Sequence, residues 1–476
     1  MVIDSRPGRS VMRFGLPLLF MAVLGCAAVV TRTKFYAPVT ADVKIGNFQG
    51  AVDKFESEKK NFGDKDRLLY FLDSGALYHY VQNYELSNTR LSLAETAAEE
   101  LFTRSVSRAG ASLLLNDNTL EYAGEDYEIL YTNLLKALNF MALHDFDDAF
   151  IEIKRSNLKL QLLEQKYAEA ATIMQRGLEK DSNDLDIDYA AEKVRFNNSA
   201  FARYMSMHMY AADGKFDDAH IDRNLLMEAF ETQPHIYDFP VPETRFAADS
   251  GALISVVGFT GLCPIKEAMN LRLRTDKQLG LVQVLYTDSE NNESEYGHLP
   301  INVDADFYFK FAIPKLAARE SPVHSIRVFA DSIYLGELGL LEDLSKIALE
   351  TFKAKSSLIY VRSVARALAK GIAANQLKKK VDSGGVGGWI KKAAIDVGTD
   401  IIENADLRCA RFLPGKIYVG DFVLQPGIYD IRVEFLDMYG GVINVQSLPK
   451  YEINKGGLNL IRTLSLELAT KEANIN

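Results

Sequence analysis

Residues Glu125 to Asn157, EDYEILYTNLLKALNFMALHDFDDAFIEIKRSN, admit few folds. Ile129, Leu130, Leu134, Ala137, Leu138 and Met141 recur at the three- and four-residue spacing of one helical face. His144-Asp145 then interrupts, and Phe146-Asp147-Asp148-Ala149 opens a second helix with carboxylates where the helix dipole favours them. Small residues at Ala137, Ala149 and Ser156 let two helices approach closely, and Phe140 and Phe146 fill the gap between them. The stretch is a helical hairpin. One hairpin cannot bury its own apolar face, so it requires neighbours of the same kind.

Those neighbours are found by offset. Gly46-Asn47-Phe48-Gln49-Gly50-Ala51 followed by Phe55 matches a turn and second helix. The next unit sets Phe71, Gly75 and Tyr78 on a first helix, and Tyr84, Ser87, Leu91 and Ala94 on the turn and second helix. Phe-Asp-Asp-Ala returns at Phe216-Asp217-Asp218-Ala219, behind Tyr210 and Gly214-Lys215. The first two units start about 36 residues apart, near the tetratricopeptide period. The pattern is that of a tetratricopeptide-like array, with packing assigned to Gly75, Tyr78, Ala94, Ala137, Phe140, Phe146, Ala149, Phe216 and Ala219. Leu158 to Lys180 and Asp186 to Phe196 read as further helices. Arrays of this kind bind rather than catalyse.

No chemistry competes with that reading. Asp217, Asp218, His220 and Asp222 resemble a metal cluster on paper, but Asp217 points away from the face shared by Asp218 and Asp222, and the twin motif at Asp147-Asp148 lacks the histidine. His79, His144, His208 and His235 are scattered, without a matching nucleophile or HExxH spacing. Glu152 and Arg155, one turn apart, pair on the surface or line the groove of the array. No catalytic residue, cofactor site or metal site is expected.

At 476 residues the chain exceeds one core and divides into two or three domains. A net charge of −10 argues against a general nucleic-acid binder, which needs a basic face. Three cysteines, Cys26, Cys263 and Cys409, are too few for a disulfide scaffold. Arg6, Arg9 and Arg13 precede an apolar run from Phe14 to Leu24 that ends at Gly25-Cys26. The run is short for a membrane span and has the layout of an export signal. Its end resembles the lipobox of bacterial lipoproteins, which implies lipidation of Cys26 and anchoring by acyl chains. Ala27, rather than Asp, follows; the resemblance then implies the periplasmic face of an outer membrane. Cys263 and Cys409 either pair or sit as small buried hydrophobes; the apolar, strand-like residues beside both favour the second.

Texture changes between Thr232 and Ser250, where Pro234, Pro240 and Pro242 break periodicity. Beyond it, Ala252 to Phe259, Met269 to Thr275, Leu279 to Tyr286, Asp306 to Ile313 and His324 to Ala330 read as strands, with Ser289 to Gly297 as an exposed hairpin tip. Helix returns from Leu341 to Glu403, opened by Glu342-Asp343 and broken at Gly384-Gly385-Val386-Gly387-Gly388. Arg362, Arg366 and Lys370 form a basic face on the first arm of this hairpin. Lys416 to Leu424, Ile428 to Phe435, Val442 to Leu448 and Leu458 to Leu466 read as a four-strand antiparallel meander. The expected organisation is a signal peptide (1–25), a tether (26–43), a helical repeat domain (44–231), a linker (232–250), a β-rich domain in two parts (251–340 and 406–468) around a helical insertion (341–405), and a tail (469–476). The fold class is α+β multidomain: an N-terminal tetratricopeptide-like helical array followed by an antiparallel, sandwich-like β domain with a helical hairpin insertion.

Several segments together resemble a family of bacterial tetratricopeptide-containing envelope lipoproteins. They are Gly124-Glu125-Asp126-Tyr127-Glu128 leading into Lys136-Ala137-Leu138-Asn139-Phe140, Gly261-Leu262-Cys263-Pro264-Ile265-Lys266-Glu267, Leu341-Glu342-Asp343-Leu344 before Ser363 to Lys370, and Ala405-Asp406-Leu407-Arg408 before Leu413-Pro414. Cys263 stands where a small residue such as Ala is usual. The resemblance implies no enzyme activity and no cofactor, and an association with envelope lipoproteins that regulate cell-wall synthesis. The function expected is a lipid-anchored envelope scaffold that binds a protein or peptide partner through its repeats. The alternative is a membrane-active or pore-forming component using the hairpin at 358–403. Oligomeric state is left open.

Overall fold

A computed structural model describes residues 33–108, 120–181, 193–279, 281–287, 293–299, 308–382 and 405–469. The export signal, Cys26, the glycine break and the second arm of the expected helical hairpin lie outside the described residues.

Eight helices form four consecutive hairpins: α1 (Thr33–Lys44) with α2 (Phe48–Ser57), α3 (Arg67–Tyr80) with α4 (Tyr84–Arg108), α5 (Asp126–Ala142) with α6 (Phe146–Asp181), and α7 (Ala200–Ala212) with α8 (Phe216–Thr232). One turn is used four times. Gly46, Gln82, His144 and Gly214 each take positive φ, at +76°, +61°, +60° and +73°. The next amide then reaches back to a carbonyl in the last turn of the first helix: Asn47 to Asp42 (2.9 Å), Asn83 to Tyr78 (3.0 Å), Asp145 to Phe140 (2.9 Å) and Lys215 to Tyr210 (2.8 Å). This satisfies carbonyls that a helix end would otherwise leave unpaired. Five residues after each positive-φ position stands a small, fully buried side chain: Ala51, Ser87, Ala149 or Ala219.

The expected packing residues divide. Ala94, Ala137, Ala149 and Ala219 are buried, and so is Gly75, where an added Cβ would lie 2.5 Å from the Leu91 side chain. Tyr78, Phe140 and Phe146 are half-buried. Phe216 is a correction: it is 49% exposed, because α8 ends the row and, among the described residues, no further hairpin covers its start. Two other expectations also change. Leu158 to Lys180 is the continuation of α6, a single helix of 36 residues, and residues 193–199 are irregular rather than helical. Part of the expected tether is helix α1, whose Tyr36, Val39 and Val43 are buried.

Among the described residues, the β half contains two sheets. Strand β1 (Ala252–Asp276) runs for 25 residues where two strands were expected. Its first half lies between antiparallel β8 (Pro414–Leu424) and parallel β11 (Asn459–Ser465); its second half lies between β2 (Leu281–Thr287) and β4 (Tyr308–Arg319). The register against β4 shifts between Leu262 and Ile265, just past Gly261 at φ +60°, which marks a bulge within one strand. β3 (Glu293–Leu299), expected as part of an exposed tip, pairs with β2, and β7 (Gly339–Asp343) pairs with β8. The second sheet has the order β10 (Val442–Ile453), β9 (Gly427–Leu436), β5 (Ser325–Ala330), β6 (Ile333–Glu337). The expected meander is therefore not formed. Only β9 and β10 pair within it, while β8 and β11 join the first sheet on either side of β1.

Ile254, Val256, Ile326, Val328, Val433, Phe435 and Ile461 form a core shared by the two sheets. Helix α9 (Leu344–Asp382) covers the far half of the first sheet: Leu358, Val364 and Leu368 pack with Leu271, Val282 and Phe311, and Tyr167 of α6 joins them. The largest core crosses between the halves, running from the hairpins into Val257, Phe259, Leu262, Phe412, Ile417 and Val419. Ile236 and Tyr237 of the expected linker are buried in it. Helix α5 is enclosed on every side, including Glu128, Asn133, Lys136 and Asn139. The first helix of the opening stretch is thus buried between the other hairpins and the β half.

Candidate functional site

The first helix of every hairpin faces the β half. Tyr36 of α1 meets Phe412 (ring centroids 5.9 Å apart), and Tyr80 of α3 donates to the Phe412 carbonyl (2.6 Å). Tyr131 of α5 donates to Glu342, and Tyr204 of α7 donates to Asp421 (2.8 Å). The face formed by the first helices of the hairpins is therefore covered by the chain's own second half.

Its best-defined occupant is the irregular strap 405–413, which belongs to neither helix nor strand. Backbone groups of a buried segment must find partners, and here side chains supply many of them. Glu128 Oε1 accepts the Ala410 amide (2.6 Å) and Asp73 Oδ1 accepts the Arg411 amide (2.7 Å). The Arg319 guanidinium donates to the Arg411 carbonyl, and the Cys263 amide donates to the Leu413 carbonyl (2.9 Å). Phe412 is fully buried beside Tyr36 and Phe55, and the Arg411 guanidinium lies 4.6 Å over the Tyr36 ring. Arg408 anchors the start of the strap to Asp66 (3.2 Å) and to the Leu120 carbonyl (3.0 Å).

Burial sets the electrostatics here. Desolvation pushes the Asp73 carboxyl up to about 6, against the Arg411 amide and Tyr36 hydroxyl that favour its charge. Glu128 is pushed up to about 7 by burial and then by the neighbouring Glu125 carboxylate. A second buried carboxylate clamp is Glu342. It accepts from Tyr131, Tyr237 (2.8 Å), Ser199 (3.0 Å) and the Phe201 amide (3.1 Å), which ties α5, α7 and the 233–237 segment to the end of β7. Burial holds its pKa above the ordinary carboxyl range. Glu342 was expected to open a helix; instead Asp343 accepts the Ser345 amide (2.9 Å) at that start and Glu342 turns inward.

Ser255, His208 and Asp421 meet at the α7 seam in an order that suggests nucleophile, base and orienting acid. His208 Nε2 lies 3.2 Å from Asp421 Oδ1, while Ser255 Oγ is 3.2 Å from Nδ1 and 3.4 Å from Nε2. The hydroxyl thus sits beside the ring, nearly equidistant from both nitrogens, rather than in line with the nitrogen opposite the acid. All three side chains are buried, and Asp421 also accepts the Arg245 amide (2.8 Å). The arrangement acts as a polar clamp between α7 and the first sheet.

Glu152 and Arg155 do pair (2.7 Å), but within a larger network. Glu152 is buried and also holds Lys136 (2.8 Å) and Asn133 (2.6 Å), and Glu95 holds Lys136 (2.9 Å) and Lys159. Lys159, Asn133 and Lys136 draw the Glu95 carboxyl down to about 2 against its burial. These cations are consumed within the α4–α5–α6 interface.

The expected basic face of α9 is corrected at Arg366, which is buried beside Ser363 (3.1 Å). Arg362 is half-buried, and the side chain of Lys370 lies outside the described residues. Cys263 and Cys409 are buried and unpaired with each other, as free thiols. Burial pushes Cys263 up to about 12, leaving a poor nucleophile. Among the described residues, no group of three His, Cys, Asp or Glu side chains is placed to hold a metal ion.

Sequence reading missed Asp73, Glu128 and Glu342. The available signal was a carboxylate embedded in an apolar helical face, as in Leu72-Asp73-Ser74 and Tyr127-Glu128. The chain matches no protein-family model, no curated protein and no solved structure.

Proposed function

We propose that this chain is a non-catalytic scaffold of a bacterial envelope, held at the membrane by lipid on Cys26. A tetratricopeptide-like array, braced by a sandwich-like β domain, engages a protein or peptide partner. The supporting observation is the fourfold turn at Gly46, Gln82, His144 and Gly214, which repeats one hairpin geometry along the row as helical-repeat binding proteins do. The anchor rests on the arginine-rich, apolar stretch ending at Gly25-Cys26.

The test is chemical crosslinking of the lipidated full chain in native membranes, with Ala149→Glu as the disrupted array. Ala149 is fully buried at the α5–α6 turn, so a carboxylate there separates the hairpin. Partner crosslinks are expected with the parent and not with the variant; equal capture by both would sink the reading. Cys26→Ser is expected to release the protein from membranes. A pore-forming role for 358–403 draws no support from α9, whose Leu358, Val364 and Leu368 pack on the sheet. Among the described residues, no helix is long and apolar enough to cross a membrane.

A further inference from the structure

The strap 405–413 is held in the way proteins hold peptide ligands. Two consecutive amides, of Ala410 and Arg411, are each captured by a carboxylate from a different hairpin, Glu128 of α5 and Asp73 of α3. The following carbonyl, of Phe412, takes the Tyr80 hydroxyl. Its side chain is the aromatic anchor: Phe412 enters a nest of Tyr36, Phe55 and their neighbours Phe35 and Phe62. Main-chain capture combined with one aromatic pocket is a recognition mode that depends little on the remaining side chains. We propose that residues 405–413 are an intramolecular ligand of the helical array, occupying the site at which the array takes an aromatic-bearing peptide segment of a partner. The proposal deepens the scaffold reading and rests on it.

The chemistry defines the competitor. It must offer two free amides in succession and carry an aromatic ring directly after them. Proline at either amide position is excluded, because it has no N–H to give to Glu128 or Asp73. A bulky side chain at the Ala410 position is disfavoured too, since Ala410 is buried. Arg411 fits through the Tyr36 face, so a cation there is favoured.

The test uses the full chain and a fluorescent synthetic peptide with the sequence of residues 405–413. Phe412→Ala empties the aromatic nest from within. Anisotropy is expected to show saturable binding to this variant about tenfold or more tighter than to the unaltered chain, and no binding when the peptide's own phenylalanine is replaced by alanine. Equal binding of both peptides, or no binding by a variant whose circular dichroism matches the parent, overturns the proposal. If Phe412→Ala does not fold, amide exchange of the unaltered chain decides. The Ala410 and Arg411 amides are expected to exchange at least about tenfold faster than those of Val256 and Val257 in β1, by local opening. Exchange in step with β1 overturns the proposal, because a segment released only on global unfolding cannot be displaced. Loss of partner crosslinks in membranes with intact peptide binding would count against the scaffold role alone; the reverse would count against the strap alone.

Discussion

Asp73 Oδ1 accepts the backbone amide of Arg411 at 2.7 Å, joining helix α3 to a strap 338 positions later in the chain. The same carboxylate takes the Tyr36 hydroxyl through its other oxygen, at 2.7 Å. One buried side chain thus connects α1, α3 and the approach to β8. Glu128 and Glu342 make equivalent connections further along the array. The helical and β halves are fastened by buried carboxylates whose partners are hydroxyls and amides.

Removing such a carboxylate leaves its donors buried and unpaired. Glu342→Ala strands Tyr131, Ser199 and the Phe201 amide, while Tyr237 keeps the Asn198 carbonyl at 3.3 Å. It is expected to cost about 3 kcal/mol or more in urea unfolding, and Glu342→Gln clearly less. A cost below about 1 kcal/mol for the alanine variant would show that the clamp is not a main fastening.

The raised carboxyls give stability a definite pH slope. Glu128 moves from 4.5 up to about 7 and Asp73 from 3.8 up to about 6, both chiefly through burial. The folded chain therefore binds more protons than the unfolded chain between the ordinary and shifted values, and this contribution to stability falls as pH rises through about 7. His79, lowered to about 4 by burial and Arg462, acts in the opposite sense below its ordinary 6.5. Above 6.5 the raised Glu128 and the raised Glu342 both lower stability as pH rises, and replacing Glu128 removes its share alone. There the urea midpoint is expected to fall with rising pH, and Glu128→Gln to flatten that fall. A rising midpoint over the same interval contradicts the assignment.

Both described thiols are expected to resist alkylation. Cys263 and Cys409 are fully buried, and burial raises both thiols, Cys263 to about 12. Iodoacetamide labelling at pH 8, read by peptide mass, is expected to be slow in the folded chain and rapid in denaturant. Rapid labelling of Cys263 in the folded chain would refute its burial.

Gly75→Ala tests the closeness of a hairpin. Alanine ordinarily stabilises a helix by about 1 kcal/mol over glycine. Here the new methyl would lie 2.5 Å and 2.6 Å from the Leu91 side chain, which is itself buried. Net destabilisation of about 1–2 kcal/mol is expected; stabilisation would mean that α3 and α4 have room between them.

The hairpins were legible because their determinants are local. Phe146-Asp147-Asp148-Ala149 and Phe216-Asp217-Asp218-Ala219 read as the same turn and are the same turn, with Ala149 and Ala219 both fully buried. Gly75, Ala94 and Ala137 were legible as packing positions by the same helical spacing. The β half was harder, since strand pairing is non-local. Ala252 to Phe259 and Met269 to Thr275 read as two strands, yet the chain joins them in one strand through a bulge. Nothing near Asn459 signals that β11 returns parallel to β1 across some 200 residues. Arg366 read as solvated because it shares a four-residue spacing with Arg362 and Lys370; the sheet under α9 buries it. The strap eluded reading for the opposite reason: its partners are single carboxylates, such as Asp73 and Glu128, on elements far away in sequence.

The central claim is that the array and the β half form one cooperative unit around a shared core. Differential scanning calorimetry of the chain lacking its first 26 residues tests this directly. A single endotherm is expected, with calorimetric and van't Hoff enthalpies in a ratio of about one. Two resolved transitions, one of them lost when residues 251–469 are deleted and the other unchanged, would contradict it.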